Sequence, residues 1–196
     1  MRRTLLLWAV LLAAAIVLVW RVAPREDGLA LMAQAPKSEG VASPPDTAAP
    51  PVTALPLAGL RRADLHDTYN ESREQGGRVH EAIDIMAPRG TPVYAVTAGV
   101  IKKLYTSVPG GITIYQVDPG EQWVFYYGHL DRYADGLTEG QKVKAGDLIA
   151  YVGATGNASP DAPHLHLAIG RLTEEKKYWE SEPINPFPLL VPLAKP

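Results

Sequence analysis

A chain of 196 residues has room for one well-packed domain with an appendage, not for two domains. Arg2, Arg3, Arg21 and Arg25 precede the first acidic residue, so residues 26–196 hold 15 of the 19 Lys and Arg against all 21 Asp and Glu, a net of −6. That sign excludes a nucleic-acid partner, and the absence of cysteine excludes disulfides, Cys-ligated zinc and a lipid-modified cysteine anchor.

The first element is a membrane signal. Arg2 and Arg3 precede an unbroken apolar run from Leu5 to Trp20, closed by Arg21. A run apolar on every face is unsuited to a core helix, and Val22 and Ala23 extend it towards spanning length. The arginine pair predicts a cytoplasmic N-terminus with the rest of the chain exported. Pro24 and Pro36 follow the two small-residue sites at Ala23 and Ala35, which disfavours cleavage at either. Residues 1–23 are therefore expected to form an uncleaved transmembrane signal anchor in the cytoplasmic membrane. The remainder would lie outside that membrane in the cell envelope, which is the periplasm in a Gram-negative cell. Residues 24–55, with Pro24, Pro36, Pro44, Pro45, Pro50 and Pro51 among Ala, Ser and Thr, show no sustained periodicity and read as a disordered linker. Extended at about 3.1 Å per residue, it would reach roughly 100 Å from the membrane.

From Pro56 the texture changes. β-favouring runs at 92–95, 99–105, 112–118, 123–129, 148–152 and 164–169 are separated by the turn sequences Pro109-Gly110-Gly111, Asp118-Pro119-Gly120 and Ala145-Gly146-Asp147. No stretch carries a helical period over three turns. Residues 56–196 are therefore expected to form one mainly β domain, antiparallel with long loops.

Four of the five histidines fall in or beside patterns that can carry chemistry. In the segment from Gly76 to Met86, His80 and Asp84 stand four apart. With glycines before and Pro88 after, a strand is expected, placing positions 80, 82 and 84 on one face. His164 and His166 share a strand face opposite Leu165, Leu167 and Ile169, delivered by the loop from Thr155 to Pro163. His129 ends the run Tyr126-Tyr127-Gly128, while His66 matches no pattern and reads as solvated. A catalytic zinc takes three ligands from imidazoles and a carboxylate and keeps one position for water, so these residues suffice for a site with histidines to spare.

These segments resemble the signature of the lysostaphin/LytM-type zinc metallopeptidases. The resemblance rests on His80-x-x-x-Asp84, Ala87–Ala95, Tyr127-Gly128-His129-Leu130, the stretch from Gly140 to Gly153, Thr155-Gly156 and His164-x-His166, and it covers about residues 56–188. It implies a barrel-sandwich-like antiparallel β-sheet groove with one zinc ion on its floor. It also implies His80, Asp84 and His166 as zinc ligands, and His129 and His164 as non-ligand histidines that activate water and stabilise charge. Using one histidine of the 164–166 pair keeps the water position open, whereas using both would give a closed, structural site. The substrate implied is the stem peptides of peptidoglycan, with cross-links as the bonds cut. Tyr69 and Arg73 are the upstream side chains within reach of such a cleft, and Glu81 would point away from it.

Other classes are open at this stage. Some relatives of that family have lost their ligands and act as envelope binding modules that activate another cell-wall hydrolase, and a complete site can also be gated by another segment. Gly140–Asp147 looks like the turn of lipoyl-type carrier modules, but that reading leaves the histidines unused. A small envelope protein–protein module would bind no metal. Protein regulators are compatible with the first of these readings, and the sequence names none.

Overall fold

Alternation of apolar and polar side chains builds one large sheet. In the computed structural model, residues 49–73 and 77–196 are described; the run from Leu5 to Trp20 and nearly all of the proline-rich stretch lie outside the described residues. Eleven strands follow in order: β1 (Ser72–Arg73), β2 (Arg78–Val79), β3 (Ile83–Met86), β4 (Pro92–Tyr94), β5 (Gly99–Ser107), β6 (Gly111–Val117), β7 (Trp123–Tyr133), β8 (Lys142–Val143), β9 (Leu148–Val152), β10 (His164–Leu172) and β11 (Ser181–Ile184). A 3-10 turn at Arg62–Asp64 and the short helix α1 (Phe187–Leu190) complete the described elements. No described helix is long and apolar enough to cross a membrane.

Strands β1 and β2 form a small hairpin, and the other nine form one antiparallel sheet in the order β11–β10–β7–β6–β5–β8. β3 pairs with β10, β9 with the far half of β7, and β4 with β9. The sheet is mainly β and antiparallel as expected, but the barrel-like closure is corrected: the sheet stays open. Its edges end in short strands, with β8 paired to β5 over two residues and β11 to β10 over four. Short edge strands are a common way to end a sheet without inviting further pairing.

In β10, Leu165, Leu167 and Ile169 are buried on one face while His164, His166 and Ala168 stand on the other. The buried face joins Phe125 and Tyr127 of β7, Ile83 and Ile85 of β3, and Ile114 of β6 in the main core. Tyr127 places a polar tip in this layer: its hydroxyl donates to Gln116 Oε1 at 2.9 Å and accepts from the Val96 N–H at 3.0 Å. Upstream, Val52 and Leu55 pack on the core, and the N–H groups of Thr53 and Ala54 both donate to the Val96 carbonyl. At the other end the tail packs back through Leu190 and Ala194, both buried. The face carrying His164 and His166 is left to line a groove of about 810 Å³.

Candidate metal centre

The register of the sheet assembles the site. His166 lies directly across from Asp84 on β3 and from Gly128 on β7. A Cβ at Gly128 would stand 3.0 Å from the Tyr126 ring and 3.5 Å from the His166 ring, so glycine keeps the space beside that imidazole open. His80 precedes β3 but is not on it. The strand expected over 80–84 is corrected, because Glu81 adopts a left-handed φ of 58° and breaks the alternation. Residues 80 and 81 are tied instead to the preceding loop, His80 N–H to the Glu71 carbonyl and Glu81 N–H to the Tyr69 carbonyl, each at 2.9 Å. The turn still delivers His80 to Asp84.

Three donor atoms converge. His80 Nε2 is 3.1 Å from Asp84 Oδ1 and 3.1 Å from His166 Nδ1, and the latter two atoms are also 3.1 Å apart. Ligands held tetrahedrally at about 2.0–2.1 Å from one ion stand roughly 3.3–3.4 Å from each other, so the triangle fits a single small cation within a few tenths of an ångström. The chemistry of the donor set agrees. His80 Nδ1 lies 2.9 Å from the Thr68 carbonyl, which can only accept, so the proton belongs on Nδ1 and the Nε2 lone pair faces the triangle. Arg73 Nη2, also 2.9 Å from Nδ1, is then a close neighbour rather than a bonded one. Lone pairs crowded at 3.1 Å call for a shared cation or proton. His80, Asp84 and His166 are accordingly a group that could hold a metal ion.

Two more imidazoles border this triangle. The His129 ring centroid is 4.8 Å from that of His164 and 5.5 Å from that of His166, and His164 Nε2 is 3.7 Å from Asp84 Oδ1. His129 sits at a bulge. β6 residues 112 and 114 pair with β7 residues 130 and 127, so two β7 residues, Gly128 and His129, face Thr113 alone. At the bulge His129 takes a left-handed φ of 57°, with its N–H donating to the Gly110 carbonyl at 2.8 Å. Both rings are oriented alike: His129 Nδ1 donates to the Thr155 carbonyl and His164 Nδ1 to the Ala162 carbonyl, each at 2.8 Å, which leaves each Nε2 with its lone pair.

Arg73 does reach the cleft, its Nη2 only 2.6 Å from Asp84 Oδ2, while Tyr69 turns aside and donates its hydroxyl to the Pro183 carbonyl at 3.0 Å. His66 is exposed, as expected. Sequence reasoning missed the support beneath the three converging donors: the Thr68 carbonyl fixes His80, and the Thr68 hydroxyl accepts the Asp84 N–H at 3.1 Å. It also missed a row of rings along the groove, formed by Tyr126, Tyr115, Tyr178 and Trp179. Runs of aromatics at 126–127 and 178–179 were the available signal.

Burial opposes ionisation of Asp84, but its contacts with His166 and His80 outweigh it and hold the carboxyl well below its usual range. Burial pushes His129 down to about 4, with the Thr155 hydrogen bond acting in the opposite direction, and it lowers His166 as well despite the Asp84 carboxylate. A neutral imidazole at His166 beside an ionised Asp84 is the pairing in which those two groups act as metal ligands.

An open antiparallel sheet with a His–Asp–His triangle on its groove floor, bordered by two imidazoles with inward lone pairs, has the makings of a metal-dependent hydrolase. Residues 78–186, more than half of the chain, match the sequence profile of Peptidase family M23, and the chain belongs to that family. It is 34% identical over 119 residues to an L-Ala–D-Glu endopeptidase of Bacillus subtilis, covering 58% of this chain and 36% of that protein. It is 33% identical over 89 residues to the peptidoglycan DD-endopeptidase ShyC of Vibrio cholerae, covering 45% of this chain and 19% of that protein. The chain thus spans well under half the length of either relative. The catalytic domain of lysostaphin from Staphylococcus simulans superposes with a TM-score of 0.55 at 29% identity, over 64% of this chain and 90% of that domain.

Proposed function

We propose that this chain is a zinc-dependent endopeptidase that hydrolyses peptide cross-links of bacterial peptidoglycan. The observation that carries the reading is the equal 3.1 Å spacing of His80 Nε2, Asp84 Oδ1 and His166 Nδ1 beneath two further imidazoles. His80, Asp84 and His166 hold the one zinc ion. When bound, zinc makes water a nucleophile near neutral pH and polarises the carbonyl under attack.

The remaining chemistry belongs to the chain. His129 is neutral at pH 7 because burial holds its pKa near 4, and its Nδ1–H is committed to Thr155, so the proton drawn from the attacking water goes to Nε2. A ring with so low a pKa passes that proton on readily, which suits its return to the departing amine. His164, fixed in the same tautomer by Ala162, can accept a proton at Nε2 and then donate a hydrogen bond to the charge developing on the carbonyl oxygen. Asp84 stays ionised throughout, with Arg73 bonded to its second oxygen.

Residues 1–23 anchor the protein in the cytoplasmic membrane, the proline-rich stretch that follows is the tether, and the domain, which takes in residues 52–55 through their packing on the core and their hydrogen bonds to Val96, works on the wall outside the membrane. The test is mass spectrometry of purified cross-linked muropeptides after incubation with the full chain, with and without a chelator. Conversion of dimers to monomers that stops on chelation and returns with zinc is expected. Intact dimers in the presence of zinc-loaded protein would remove the hydrolytic reading.

A further inference from the structure

The groove changes character away from the metal donors. Among its described lining residues the charged ones, Arg73, Arg78 and Asp84, come from β1, β2 and β3, whereas the far end is lined by Tyr115, Tyr126, Tyr178 and Trp179. The register lays the first of these rings across the sheet. Tyr126 of β7 stands opposite Ala168, two residues along β10 from His166, and Tyr115 of β6 stands opposite Tyr126. Tyr178 and Trp179 come from the loop between β10 and β11. Since β11 lies on the other flank of β10, that loop crosses the groove face to bring Tyr178 against Tyr115, with ring centroids 5.1 Å apart.

The loop is tied in place as a wall. The Leu172 N–H donates to the Gln122 carbonyl at 2.8 Å and Lys176 Nζ to the Glu121 carbonyl at 2.5 Å, which fastens it to the turn between β6 and β7. On either side of the two rings, Lys177 and Glu180 bond to each other at 3.3 Å, so the nearest charges are already matched. A ligand that settles on a preformed surface of this kind pays little to order it.

The rings keep both their faces and their polar tips for a ligand. Successive planes from Tyr126 to Trp179 meet at 62°, 57° and 86°, so no ring is covered by a parallel neighbour, and Trp179 is 58% exposed. Among the described residues, the hydroxyls of Tyr115 and Tyr178 and the indole N–H of Trp179 have no hydrogen-bond partner within the chain. No buried polar side-chain atom lacks one, so these tips are open to solvent. A flat apolar face edged by free donors and acceptors matches a sugar ring, which carries C–H groups on its faces and hydroxyls around its rim. An aliphatic side chain would cover the faces and leave the tips unused.

We infer that Tyr178 and Trp179 form a sugar-binding subsite, where the glycan part of the substrate stacks on Trp179 while its peptide lies across the metal donors. This rests on the endopeptidase reading above and extends the substrate it names from the peptide to the sugar that carries it. The reach suffices. Centroid steps of 5.8, 4.9, 5.1 and 4.8 Å lead from His166 through Tyr126, Tyr115 and Tyr178 to Trp179, a path no longer than roughly six extended residues. A sugar joined to the cut bond through a short stem peptide comes within that distance, and one ring stacked on an exposed indole is worth about tenfold in affinity.

The experiment uses the full chain and a matched pair of cross-linked muropeptide dimers, one carrying its disaccharides and one from which an amidase has removed them, with the freed N-termini acetylated to restore the amide. The zinc-loaded chain gives kcat/KM, and titration calorimetry on the chain stripped of metal gives the dissociation constant without turnover. Wild type is expected to favour the sugar-bearing dimer by about tenfold on both measures. Trp179→Ala should reduce that preference to within about twofold, chiefly by weakening the sugar-bearing dimer, and Trp179→Phe, which keeps an aromatic face, should retain part of it. Equal handling of the two dimers by wild type, or an equal loss on both in Trp179→Ala, would overturn the inference. If neither dimer is cleaved, the endopeptidase reading fails on its own, and the ratio of dissociation constants still decides whether Trp179 holds the sugar.

Discussion

His129 holds a left-handed backbone conformation, φ 57°, that L residues with side chains adopt at a cost of about 1–2 kcal/mol and glycine adopts freely. Such strain persists where the surroundings impose it. Replacing His129 by Gly or by Ala removes the same hydrogen bond to Thr155 and empties the same buried space, so those losses cancel in the comparison. In an ordinary strand the Gly variant would be the weaker by about 0.5–1 kcal/mol. At this bulge the order reverses, and His129→Gly should be more stable than His129→Ala by about 1 kcal/mol, or roughly 2–4 °C in melting temperature. The assay is thermal unfolding of both variants without metal, alongside zinc content and turnover of cross-linked muropeptides. Both variants should keep zinc and lose turnover by about a hundredfold or more. An Ala variant as stable as the Gly variant would show that the bulge relaxes and stores no strain. Full activity in either would remove His129 from the chemistry.

His80→Ala and Asp84→Ala should each weaken zinc binding by more than about a hundredfold, a loss read by competition against a chromogenic chelator. Arg73→Met should cost about ten- to a hundredfold in zinc affinity by freeing the Asp84 carboxylate to turn, with little change in the melting temperature of the metal-free protein. Tyr127→Phe strands the Val96 N–H and Gln116 Oε1 in the core and should destabilise by about 1–3 kcal/mol in urea unfolding while zinc affinity is unchanged. Acid should also destabilise the metal-free protein in a defined window. His129, ordinarily near 6.5, is pushed down to about 4 chiefly by burial, so the unfolded chain binds a proton that the fold resists. The stability tied to that difference is complete above about pH 6.5 and is lost as pH falls towards 4. The depressed Asp84 adds a further loss below its ordinary value of 3.8, and urea unfolding of His129→Gly should show a flatter slope in the upper window.

The parts legible in the sequence were those governed by a period or by turn chemistry. β10 declared itself through His164-Leu165-His166-Leu167, because alternation with buried leucines leaves the polar face no choice of side. The turns at 109–111 and 118–120 were legible because Pro and Gly set their backbone angles. What escaped were features in which a residue takes a conformation its side chain disfavours. Glu81 at φ 58° is why the strand expected over 80–84 does not begin until Ile83, and the bulge at His129, φ 57°, was hidden because nothing in a histidine's identity marks a left-handed residue. Gly128 is needed for space over His166, a contact between strands that no local pattern encodes.

The same distinction explains why the histidines were visible while their orientation was not. His80, His129 and His164 each surrender Nδ1 to a main-chain carbonyl, of Thr68, Thr155 and Ala162 respectively. Carbonyls are offered by every residue type, so these three anchors leave no mark in residue identity, and they depend wholly on how the loops fold. They also make the three Nε2 lone pairs available together, whereas an imidazole free to choose its tautomer would spend part of its time presenting a proton instead. The position most exposed to this is His129, whose anchor lies on the Thr155 loop and whose backbone is held left-handed by Gly110. Thr155 fixes that loop twice, donating its hydroxyl to the Leu130 carbonyl at 2.7 Å and accepting from the Ile112 N–H at 2.9 Å. Thr155→Val should therefore lower kcat while leaving zinc affinity intact, since it loosens the orienting carbonyl without touching a metal donor. A parallel fall in zinc affinity would mean that the loop holds the proposed metal donors as well as His129.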